Sequence, residues 1–217
     1  MKQIFILLLF IVPLFAWKYF MFVQFWPGAW IANDNIVNYD FSGTHWNVHG
    51  LWPENDNGSY PQFCNNSTIF NISVVKILHN QLIKYWNNYN FPLFFWIHEY
   101  MKHGTCLASD AMFKTEMDFF KNGLTLRDKF DIYSYLKNAG IVPNNNVCYL
   151  LQSIFDTIKN HIHVVPAIIC EPHGILNQII ICLNPKIGLI DCPSYLNDCA
   201  RIDVTYNKVK QNNYTNK

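Results

Sequence analysis

What the chain lacks narrows its role first. It has almost no net charge, with 16 Lys and Arg against 15 Asp and Glu for a formal +1. That excludes a binder held on polyanions by its overall field, so any contact with nucleic acid must be local. No repeat, long linker or change of composition divides the 217 residues. Solenoids and multi-domain enzymes drop out, and one domain with a sizeable core remains. Beyond the N-terminal region no segment reaches the roughly 18 uninterrupted apolar residues that a membrane span needs. The apolar run Ile4 to Phe15, preceded by Lys2 and followed by the small Ala16, reads as a secretory signal peptide over residues 1–16. Apolar residues continue to Trp26, but Lys18 and Gln24 interrupt them and argue against a retained anchor. Residues 17–217 are then one domain with no stable membrane association.

What the chain does have is concentrated in Phe95-Trp96-Ile97-His98-Glu99-Tyr100-Met101-Lys102-His103-Gly104-Thr105-Cys106. Read as a helix, it places Glu99 three residues from Lys102 and four from His103, and His98 four from Lys102. Residues so spaced are neighbours on one surface. Gly104 reads as the helix stop. A mixed-sign titratable cluster at a helix end suits acid–base chemistry on a charged substrate. A zinc site of the H-E-x-x-H kind needs histidines four apart. Here they are five apart and diverge by about 140° around the axis, so no metal is expected. The plain alternative is a solvated face carrying a Glu99–Lys102 or Glu99–His103 pair. A second stretch, His45-Trp46-Asn47-Val48-His49-Gly50-Leu51-Trp52-Pro53, alternates polar and apolar as far as His49 and then turns at Gly50 and Pro53. A strand ending in an exposed His49 could meet the helix that carries His103.

Together, His-Gly-Leu-Trp-Pro at 49–53 and Phe-Trp-x-His-Glu-x-x-Lys-His-Gly-Thr-Cys at 95–106 resemble the two active-site motifs of the ribonuclease T2 family, and within it the plant self-incompatibility ribonucleases. The likeness runs over most of the chain after about Tyr19. It implies a secreted, monomeric endoribonuclease that needs no cofactor and acts on RNA. His103 would be the base and His49 the acid, with Lys102 and Glu99 around the phosphoryl oxygens and His98 holding the phosphate. Trp52 and Phe95 would stack bases, although burial in the core suits Phe95 equally. It further implies disulfides Cys64–Cys106, Cys170–Cys199 and Cys182–Cys192, with Cys148 left over, and a pollen-side recognition protein as partner. Its role would then be the pistil determinant of self-incompatibility, with an S-like ribonuclease for phosphate salvage or defence as the alternative that shares the chemistry. A catalytically dead storage or recognition glycoprotein is the reading from another class, and the intact set of His49, His98, Glu99, Lys102 and His103 speaks against it.

The chain departs from the family pattern in three ways. Self-incompatibility ribonucleases are usually basic, and this chain is near neutral. A small disulfide after Trp26-Pro27 is missing, with Ile31 and Ile36 in its place, so a more mobile loop is expected there. The family's glutamine before Trp-Pro is replaced by Phe25, and Gln24 points to the other strand face.

Asn57, Asn65, Asn66, Asn71 and Asn213 head Asn-x-Ser/Thr sequons, which read as exposed loops carrying N-linked glycans. Val75 to Trp86 reads as a helix, with Tyr85 and Trp86 either lining the base-binding groove or packed in the core. Phe113, Met117 and Phe120 mark another helix. Thr125 opens a third that Gly140 and Pro143 close, and Leu150 to Ile158 form a fourth. Val164 to Cys170, Ile179 to Cys182 and Leu189 to Cys192 read as strands. Helices in the middle and strands at both ends give a single α+β domain with a central antiparallel sheet.

Overall fold

The computed structural model describes residues 17–33 and 41–209. The expected signal peptide over 1–16, the position of Ile36 and the sequon at Asn213 lie outside the described residues. In chain order, strand β1 (Tyr19–Phe25) and helix α1 (Pro27–Asn33) lead to strand β2 (Asn47–Glu54). Helices α2 (Ile72–Tyr85), α3 (Pro92–Glu99), α4 (Thr105–Leu107), α5 (Glu116–Lys129) and α6 (Ile132–Asn138) follow. A π-helical turn, Tyr100–Gly104, joins α3 to α4. The remainder is β3 (Cys148–Leu150), α7 (Leu151–Ile162), β4 (Ala167–Glu171), β5 (Ile175–Leu183), β6 (Leu189–Ile190) and β7 (Asp203–Thr205).

The sheet runs β2-β1-β5-β7-β3, and β4 and β6 also pair with β5. Every pairing is antiparallel except that β5 meets β7 parallel at Ile175 and Thr205. β1 is buried along its whole length because both sheet faces are covered. Phe20 and Phe22 of β1, with Ile179 and Ile181 of β5, face Leu82, Phe119, Phe120, Ile154 and Ile158 of the helices. Tyr19, Met21 and Val23 face the other way, into a smaller cluster with Ala167, Ile180 and Cys182. Burying each such side chain contributes about 1.5–3 kcal/mol.

The three disulfides are Cys64–Cys106, Cys170–Cys199 and Cys182–Cys192, and Cys148 is an exposed free thiol on β3. Three local readings change. Thr125 opens no helix, because α5 runs through it and its hydroxyl donates back to the Lys121 carbonyl. Thr115 and Asp118 cap α5 reciprocally, and Asp131 caps α6. Gly104 does not stop its helix; a side chain there would run into the Tyr100 and Phe119 rings. β2 continues through Gly50 and Pro53 to Glu54, since an edge strand tolerates the missing proline N–H.

Candidate active site

A bulge in β2 aims the first histidine. Val23 pairs with Gly50 and Gln24 with Val48, so His49 is the extra residue. The shift in phase lets Val48 and Leu51 both enter the main core although they are three apart. It also turns His49 and Trp52 to the side of Phe25 and Met21. Gly50 is required at this point: a Cβ there would collide with Glu99 Oε2 and Trp52 Nε1. Trp86 is fully buried, against Phe119 and Phe120, and its indole N–H donates to the His49 carbonyl at 2.9 Å. Of its two expected places, the base-binding groove and the core, it takes the core. Its bulk is locked in the core, where it fixes the strand beneath the histidine.

The second group comes from α3 and the π turn. Glu99 and His103 are 2% and 6% exposed and point inward, while His98 stays on the exposed rim. An inserted residue in a helix is a common device at functional sites. The Cys64–Cys106 bond ties the far end of this segment to the loop after β2.

The two groups meet at Trp52. Its indole meets the His49 ring edge-on at 4.7 Å and stacks on the His103 ring at 5.4 Å, centroid to centroid. Its N–H donates to Glu99 Oε2 at 2.9 Å, and Glu99 Oε1 lies 3.9 Å from His49 Nε2. Phe95 is 8% exposed and lies against His49 and Trp30, so its ring walls the histidine. Beside the pair opens a cavity of about 270 Å³ lined by Met21, Trp52, Glu54, Tyr60, Lys102 and His103. Ile31, in place of a cysteine, packs with Phe25 and Tyr89. Gln24 is buried and donates to the Phe130 carbonyl. Asn57, Asn65, Asn66 and Asn71 are all exposed.

Three residues at the site escaped the sequence reading. Glu54 follows the first motif directly, and that adjacency was the available signal. Tyr60 sits in a polar loop with no periodicity to mark it. Gln178 of β5 is the register partner of Phe25 and interacts with His49, a relation visible only once the strands are paired. His49 Nδ1 and Gln178 Oε1 are both buried without a hydrogen-bond partner.

Burial sets the protonation states. It holds His49 down to about 3, opposed by the Gln178 side chain and assisted by His98 and Lys102. Burial also holds His103 down to about 3, with Lys102, His49 and His98 adding to it. His98 is lowered by burial and Lys102. Burial pushes Glu99 up to about 8 against the pull of Trp52 and Lys102, and Glu54 up to about 7. At neutral pH burial thus favours the uncharged forms of both imidazoles and of Glu99. The close approach of His49 and Glu99 is not an ion pair in that state. Among the described residues no group of three His, Cys, Asp or Glu is placed to hold a metal ion.

A sequence profile of the ribonuclease T2 family matches residues 17–192. Ribonuclease Oy of Magallana gigas is 36% identical over 187 residues, spanning 81% of this chain and 87% of that protein. Ribonuclease S-2 of Nicotiana alata is 33% identical over 199 residues, spanning 88% of this chain and 89% of its own. The crystal structure of RNase NT in complex with 5′-AMP superposes with a TM-score of 0.76 at 29% identity, over 88% of this chain and 98% of that one.

Proposed function

Because the chain belongs to the ribonuclease T2 family and is an endoribonuclease, we propose that it cleaves single-stranded RNA with the substrate's own ribose 2′-OH as nucleophile. His103 takes the 2′-hydroxyl proton as the O2′–P bond forms. His49 gives a proton to the 5′-oxygen as the P–O5′ bond breaks, leaving a 2′,3′-cyclic phosphate. Lys102 offsets the charge that builds on the phosphoryl oxygens. His98 meets the phosphate from the rim, and Trp52 offers a face to a base.

The observation that carries this reading is the shared indole, which holds both imidazoles within 5.4 Å of one ring. A base must arrive neutral, and the buried His103 is neutral. The acid needs a proton, and Glu99 holds one beside His49 Nε2. The charge of an arriving phosphodiester favours the imidazolium and so draws that proton toward His49. No cofactor or metal enters the scheme, so EDTA should leave the rate unchanged. DNA, which lacks the 2′-OH, should bind without reacting. His49→Asn and His103→Asn should each lower kcat by about 10²–10⁴-fold. Unchanged digestion by either variant overturns the assignment.

We further propose that residues 1–16 direct secretion and that the exposed sequons carry glycans. Expression in a secretory host with mapping of the mature N-terminus tests both. For the biological role two readings share this chemistry, an S-like ribonuclease for phosphate salvage or defence and a pistil determinant of self-incompatibility. The likeness to Ribonuclease S-2 over most of both chains favours the second reading, a pistil determinant of self-incompatibility with a pollen-side partner. Transcripts restricted to the pistil would support that reading, and starvation- or wound-induced transcripts the first.

A further inference from the structure

Among the described residues the exposed phenylalanines are Phe63, Phe91 and Phe94, at 44%, 60% and 70%; Phe94 lies on α3, Phe91 caps its start and Phe63 lies beside His98 of α3, all outside the catalytic cavity. Phe91 and Phe94 meet edge-on at 6.3 Å. Phe94 lies one helical turn before His98, and the Phe63 ring meets His98 at 6.5 Å. An aromatic ridge thus runs along the helix that carries Glu99 and leads onto the phosphate-facing rim.

The rings sit on fixed backbone. The Phe91 N–H is bonded to Asn88 Oδ1, and Pro92 opens the helix behind it. Phe63 has φ +50°, the left-handed region that a bulky side chain rarely enters. It is held there by its N–H bond to the Lys102 carbonyl at 2.9 Å and by the neighbouring Cys64–Cys106 disulfide. Backbone strain of this kind gathers at ligand clamps. It raises an aromatic ring into water, where burial gives it nothing.

We propose that Phe63, Phe91 and Phe94 form a stacking platform for bases of the same RNA strand beyond those at the scissile phosphate. The platform rests on the ribonuclease reading and extends it from a dinucleotide to a longer single strand. Stacking on aromatic faces tolerates any base. The ridge carries no Lys or Arg of its own, so its contribution depends little on salt, unlike contacts to phosphate.

The test compares kcat/KM for a dinucleoside monophosphate and for a twelve-nucleotide single strand, in the wild type, in Phe91→Ala/Phe94→Ala and in Phe63→Gly. The alanine variant should lose roughly ten-fold or more on the long strand, at low and high salt alike, with the dinucleotide rate unchanged. Phe63→Gly relieves the positive φ, so it should lose activity on the long strand without any fall in Tm. An equal loss on both substrates, or no loss on either, overturns the platform; the latter leaves the ridge to a protein or membrane partner. A wild type inert on both substrates overturns the ribonuclease reading instead.

Discussion

At the scale of single residues, the site is built from close approaches. Gly50 has room for hydrogen alone between the Trp52 indole and the Glu99 carboxyl. Gly50→Ala should separate the two elements and lower kcat by about 10²-fold, since a displacement near 1 Å has that cost. Wild-type kinetics in the purified variant would contradict it. Gln178 is the counterpart on β5. Its side chain favours the charged form of the His49 ring, whose Nε2 lies 3.9 Å from Glu99 Oε1. Gln178→Leu removes that support and should lower kcat roughly ten-fold, the value of one hydrogen bond, with KM little changed. NMR titration should show the His49 pKa lower still. A pKa that rises, or stays put, would mean that Gln178 does not act on the ring.

At the scale of elements, the disulfide Cys64–Cys106 closes a loop of 42 residues across the catalytic helix. Replacing both cysteines by alanine should lower stability by about 4 kcal/mol from loop entropy, read by urea denaturation. Activity should also fall, because Phe63 and Tyr60 lose the anchor that holds their loop beside Lys102. The elements that build the site were legible to different degrees. The two motifs could be read because their chemistry is packed into short runs, but His49, expected exposed at a strand end, sits largely buried inside β2. The π turn was invisible: one inserted residue leaves no mark on apolar spacing, yet it helps bring Glu99 and His103 inward. The bulge at His49 was hidden likewise, since it exists only relative to β1. Strands β3 and β7, three residues each, are too short to show alternation. The hydroxyl of Thr125 signalled a cap, but capping needs an unpaired amide beneath it, and here it met a carbonyl one turn back.

At the scale of the whole molecule, buried titratable groups set how stability varies with pH. His45, His49 and His103 are held to about 4, 3 and 3 when folded. Below about pH 6.5 the unfolded chain binds more protons at these positions, so they make stability rise with pH across that range. Glu54 and Glu99 are raised to about 7 and about 8. Above about pH 4.5 the unfolded chain releases protons that the folded chain keeps, so these two lower stability as pH rises. His98 is lowered and Glu116 raised as well, so four histidines outweigh three carboxyls up to about pH 6, and above about pH 6.5 the carboxyls dominate. Melting scans of the ligand-free protein should therefore peak in mildly acid solution, near pH 6, and decline toward pH 8. A maximum above pH 8 would contradict the buried, neutral site. The layout of the sheet has a last consequence. The lone thiol of Cys148 lies on the strand at one end of the sheet, and the histidine strand β2 lies at the other. A dye or a surface tether attached there stands clear of the cleft, and two chains cross-linked through it would each keep an open mouth for RNA.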